Sequence, residues 1–105
     1  MKNWYAEDWG FTIEVIQVGE RNIAEDCRLG LEPGDRFICR YGTPENFCPA
    51  AWFKLFPLME VVRCGGDFRN LGGNSPTEAE FLCPDGVVVF RLKSYSVPNF
   101  SYQNQ

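Results

Sequence analysis

The stretch Glu78–Lys93, EAEFLCPDGVVVFRLK, decides the fold. Two runs rich in β-branched and aromatic residues bracket Pro84-Asp85-Gly86, an order that suits a tight hairpin in which glycine takes a positive φ. Alternation along the second run puts Val88, Phe90 and Leu92 on one face, the expected core side of a half-buried strand. Other segments must supply what pairs with this hairpin and what covers it.

Phe11 to Val18, FTIEVIQV, alternates in the same way, with Phe11, Ile13 and Val15 on one face and Thr12 and Glu14 on the other. Glu32-Pro33-Gly34-Asp35 has the residue order of a turn and leads into a second predicted strand from Arg36 to Tyr41, with Phe37, Cys39 and Tyr41 sharing a face. Gly42-Thr43-Pro44 ends that strand. Cys48 then stands directly before Pro49, and proline is favoured at the first helical position because its fixed φ suits the helix and its missing N–H would have no partner there. A helix is therefore predicted from Pro49 to about Arg63, with Cys48 at or beside its N-cap. Trp52, Leu55, Phe56, Met59 and Val62 follow helical spacing, while Ala50, Ala51, Phe53, Leu58 and Val61 fill most of the remaining circumference. A helix so apolar is expected at the centre of the core or partly under a second subunit, kinked or split at Pro57. CGGDFRNLGGNSPTE reads as a loop with few apolar anchors and as the segment expected to be most mobile.

The resulting order, β-β-α-β-β, gives an α+β domain in which one central, Pro-kinked apolar helix packs on a small, mostly antiparallel sheet; a curled half-barrel is the alternative. Residues 11–93 form this domain. Residues 1–10 read as an aromatic arm and residues 94–105 as a tail, both expected to clamp the body or reach a neighbouring subunit.

Totals exclude several functions. The chain has 105 residues and a formal charge of −4, with no basic run, so phosphate backbones and anionic lipid surfaces repel it on balance and neither nucleic acid nor membrane is expected as a partner. MKNWYAEDWGF lacks the apolar core of a signal peptide, and no apolar run approaches a membrane span, which predicts a cytoplasmic protein with reduced thiols. There is no histidine. A Ser-His-Asp triad, a Cys-His pair and an H-E-x-x-H zinc helix are thus impossible within one chain, and chemistry falls to cysteine, carboxylates, Lys, Arg, Tyr, backbone donors or a bound cofactor.

Five cysteines remain, none in a C-x-x-C pair, so zinc-ribbon and ferredoxin spacings are absent. Cys39, within a strand, and Cys64, at the helix end, read as packing residues. Cys27, Cys48 and Cys83 fall at the ends of predicted elements, where functional residues concentrate. Cys48 is the candidate catalytic thiol, because unpaired N–H groups and the macrodipole at a helix N-terminus favour a thiolate.

CRLGLEPGDRF, TPENFCPAAWFKLFP and FLCPDGVVVF together resemble a family of small cysteine-containing proteins of bacteria and archaea, many of them anaerobes, with the pattern C-x-x-G-x-x-x-G-D-x-F, T-P-x-x-x-C-P-x-A and C-P-D. The resemblance covers about Phe11 to Lys93 and implies that Cys27, Cys48 and Cys83 belong to the shared pattern while Cys39 and Cys64 do not. Relatives often carry His-Lys where this chain has Leu31 and Glu32, and an aromatic-acidic pair near Phe68, Arg69 and Asn70. The resemblance brings no reaction with it.

Three functions emerge as expectations. One is a thiolate site of Cys27, Cys48 and Cys83 that binds zinc, iron or an iron–sulfur cluster or performs thiol redox chemistry. Another is an accessory subunit that binds a larger enzyme or its own copies through its apolar helix and aromatic termini. The third is a small acid–base enzyme using Glu14, Asp35 or Asp85, against which stands the preference of Asp for turns.

Overall fold

The computed structural model describes residues 8–73 and 75–96. Among these residues there are four strands, β1 (Trp9–Val18), β2 (Arg36–Cys39), β3 (Glu78–Leu82) and β4 (Val88–Ser96), and one helix, α1 (Pro49–Arg63), with short 3-10 turns at Ala24–Asp26 and Phe68–Leu71. The two long alternating strands pair antiparallel at the centre, Ile13 opposite Leu92 and Val15 opposite Phe90. β2 joins the far side of β1, with Phe37 opposite Ile13, and β3 joins the far side of β4, with Ala79 opposite Leu92. The sheet is antiparallel throughout, in the order β2-β1-β4-β3, and it is not closed. This is the expected α+β fold. Among the described residues no helix is long and apolar enough to cross a membrane.

Register decides which side chains reach the core. Phe11, Ile13, Val15, Val88, Phe90 and Leu92 are all buried, as the alternation predicts. After Val15 the pairing slips by one residue, a β-bulge that leaves Ile16 without an opposite and sends Val18, rather than Gln17, inward. The opposite face carries ionic groups: Arg91 lies 3.3 Å from Glu80, 3.7 Å from Glu14 and 3.9 Å from Glu78. Exposed pairs of this kind add little stability, but they keep the open face polar.

The central strands extend beyond the predicted limits. Trp9 and Gly10 pair with Ser96 and Tyr95, so the inner ends of the expected arm and tail belong to the sheet. Gly10 permits this, because a Cβ there would stand 2.5 Å from the Tyr95 ring. Residues 1–7 and 97–105, the remainder of those segments, lie outside the described residues.

Helix α1 starts where Cys48-Pro49 predicts and runs unbroken through Pro57. Pro57 deprives the carbonyl of Phe53 of its N–H partner, and both residues are exposed, where water can hydrate that carbonyl. Ala51, Leu55, Met59 and Val62 are its buried residues. Trp52 and Phe56 pack instead on Phe47 and Tyr41, with ring centroids 6.0 and 5.9 Å apart, so two loop rings cover part of the second apolar face; β2 stops at Cys39, short of the predicted Tyr41. Phe53 is left 84% exposed. At the C-terminal end the Arg63 guanidinium sits 5.0 Å from the Phe11 ring and donates to Glu60 and to the Arg40 carbonyl, tying the helix to the end of β2. The glycine-rich loop after it has a firmer anchor than its composition suggests. Phe68 is fully buried against Phe81, and Asp67 caps the 3-10 turn by accepting from the Arg69 N–H.

Phe90→Ala should lower unfolding free energy in urea by about 3–5 kcal/mol, because a fully buried ring is lost from the centre of the sheet. Phe53→Ala should change it by no more than about 0.5 kcal/mol.

Candidate functional site

The three element-end cysteines line one cavity. Cys27 follows the Ala24–Asp26 turn, Cys48 is the N-cap of α1, and Cys83 opens the β3–β4 hairpin; chain reversals that are far apart in sequence bring all three to the walls of a space of about 280 Å³. Leu31, Ala51, Val88 and Phe90 form its buried apolar wall. Small side chains at Ala50 and Ala51, in the first turn of α1, leave the room. Leu31 contributes hydrocarbon to this wall.

The hairpin turn shapes the environment of Cys83. Its carbonyl accepts the Gly86 N–H at 2.9 Å, and Gly86 takes a φ of 78°, the left-handed conformation expected of a glycine closing this turn. The Cys83 side chain folds back over the turn, where its Sγ accepts the Val88 N–H at 3.3 Å. Burial pushes the thiol pKa up, but backbone N–H groups of Val88, Val87, Asp85 and Gly86 act together in the opposite sense and bring it below the ordinary thiol value. The Val88 N–H is the donor that meets the sulfur directly, while the Gly86 N–H is taken by the Cys83 carbonyl.

Cys48 occupies the predicted N-cap position, with the Trp52 N–H bonded to its carbonyl at 2.9 Å, yet its side chain makes no cap hydrogen bond. The thiol that receives backbone donors is thus the one in the β-turn. The signal for it was the C-P-D-G order: a residue at the first position of such a turn can direct its side chain onto the N–H groups that come after it. Cys39 is buried with its sulfur 4.0 Å from that of Met59, and Cys64 is exposed at the helix C-cap; neither lines the cavity. Among the described residues no group of three or more Cys, Asp or Glu side chains is placed to hold a metal ion, so the shared cavity gives no geometric support to the zinc, iron or cluster expectation for Cys27, Cys48 and Cys83.

Charges at the cavity are paired. Arg28 donates to both carboxylate oxygens of Asp85, at 2.9 and 3.3 Å, and so links the Cys27 loop to the Cys83 turn. Arg21 hydrogen-bonds Asp26 and holds its carboxyl below the usual carboxylate range. Of the other candidate carboxylates, Asp35 accepts the Glu32 N–H at 2.9 Å as a turn residue, and Glu14 lies on the outer face of the sheet with Arg91.

No family model, curated protein or solved structure compared with the chain gives a match.

Because Arg28 and Asp85 are both well exposed, a double-mutant cycle with Arg28→Gln and Asp85→Asn should give a coupling of about 1 kcal/mol or less that shrinks with added salt. The thiol carries its own pH signature. A folded-state pKa below the unfolded value stabilises the protein above the unfolded pKa, and that stabilisation is lost as pH falls through the folded pKa. The urea stability of the native chain relative to Cys83→Ser should therefore rise as pH increases through the thiol range.

Proposed function

We propose that the protein is a small cytoplasmic thiol protein in which Cys83 is the reactive thiolate and Cys27 and Cys48 are companion thiols of the same cavity. The observation that carries this reading is the Val88 N–H bond to the Cys83 sulfur inside a cavity that all three cysteines line. A thiolate is the nucleophilic form of cysteine, and selective stabilisation of that form is what separates a reactive thiol from a packing one. With no histidine in the chain, the backbone of the hairpin does what a neighbouring imidazolium does in other thiol sites. The likeness of the three motifs to the family of small cysteine-containing proteins fits this reading, since the shared pattern contains these same three cysteines.

The test is the pH dependence of iodoacetamide alkylation, followed cysteine by cysteine with peptide mass spectrometry. Exposed Cys64 serves as the reference thiol within the same chain. The Cys83 rate is expected to reach its midpoint at a lower pH than the Cys64 rate, and unfolding in urea should bring the two midpoints together. A Cys83 midpoint equal to or above that of Cys64 in the folded protein contradicts the proposal.

A further inference from the structure

With Cys83 as the reactive thiolate of the proposed function, a premise shared here, the cavity walls restrict which molecules can reach the sulfur. At about 280 Å³ the space lies near the lower end of the usual range of ligand pockets. Leu31, Ala51, Val88 and Phe90 are each no more than 5% exposed, so a molecule filling the space exchanges water for hydrocarbon. The charged side chains that line it, Asp26, Arg28 and Asp85, all have partners of opposite sign. An anion meets an Arg28 whose charge Asp85 already largely offsets, and a charge of either sign must give up hydration to an apolar wall. Both effects disfavour a charged ligand.

We infer that the cavity admits small, uncharged conjugated carbonyl compounds and adds them to Cys83. A thiolate is a soft nucleophile and the β-carbon of such a compound is a soft electrophile. The sulfur lone pair forms the S–C bond, the alkene π pair shifts to give an enolate, and the α-carbon takes a proton from water, so no external oxidant or reductant enters. The Arg28–Asp85 pair acts as a charge filter and is the specificity-determining element.

Two maleimides with the same reacting alkene test this: N-ethylmaleimide, which is neutral, and N-(2-carboxyethyl)maleimide, which is anionic. Rates at Cys83 are divided by rates at exposed Cys64 in the same sample, which cancels intrinsic probe reactivity. The Cys83-to-Cys64 ratio is expected to be about fivefold higher for the neutral probe, a fold-change equivalent to about 1 kcal/mol, as suits exposed charges. Asp85→Asn, which leaves Arg28 without its carboxylate, should raise the ratio for the anionic probe severalfold, and Arg28→Gln should lower it. Equal ratios for the two probes in the native chain, or no response to either substitution, overturns the inference. Failure of the underlying thiolate reading shows separately, as a Cys83 alkylation midpoint at or above that of Cys64.

Discussion

The structure depends on the register of β4 between β1 and β3. With Leu92 opposite both Ile13 and Ala79, the inward residues of three strands line up on one face, and α1 has a continuous apolar surface to cover. A slip of one residue would turn Val88, Phe90 and Leu92 outward and replace them with Val89, Arg91 and Lys93. The same register fixes where the hairpin reverses. It sets the Cys83 turn beside the first turn of the helix, at the open end of the core, and so determines that a cavity with sulfur in its wall exists at all.

The helix contributes by being small where it meets the hairpin. Ala50 and Ala51 precede the larger Trp52 and Leu55, so the first turn leaves room for the cavity. From the other side Arg28 reaches Asp85 and brings the Cys27 loop to the same end. Three reversals thus meet at one corner, each held by a different force: sheet register, helix packing and an exposed ion pair. Of these the ion pair is the weakest and the most easily exchanged, which suits an element at the mouth of a site.

Much of the fold was legible in the sequence because alternation and turn chemistry are local. Pro84-Asp85-Gly86, Pro49 at the helix start and the inward sets on β1 and β4 all derive from neighbouring residues. What could not be read locally came from tertiary fit. The bulge at Ile16 arises from pairing with β4, the extension of β1 to Trp9 depends on Tyr95 lying over Gly10, and the anchoring of the glycine-rich loop depends on a core with room for Phe68. At the site, Cys27, Cys48 and Cys83, grouped in the sequence by their position at element ends, line one cavity. Attention to the helix dipole directed the chemistry to Cys48. The turn at Cys83, where a side chain folds back onto backbone N–H groups, offers short-range donors, whereas the Cys48 side chain makes no cap bond.

The central claim, that the hairpin backbone stabilises a thiolate at Cys83, is tested most directly by following backbone amide resonances through a pH titration. The account predicts that the amides of Asp85, Gly86, Val87 and Val88 shift together with a single midpoint below that of an ordinary thiol, and that Cys83→Ser abolishes this transition. Amides that stay unmoved through the thiol range, or that titrate in the same way in Cys83→Ser, would contradict it.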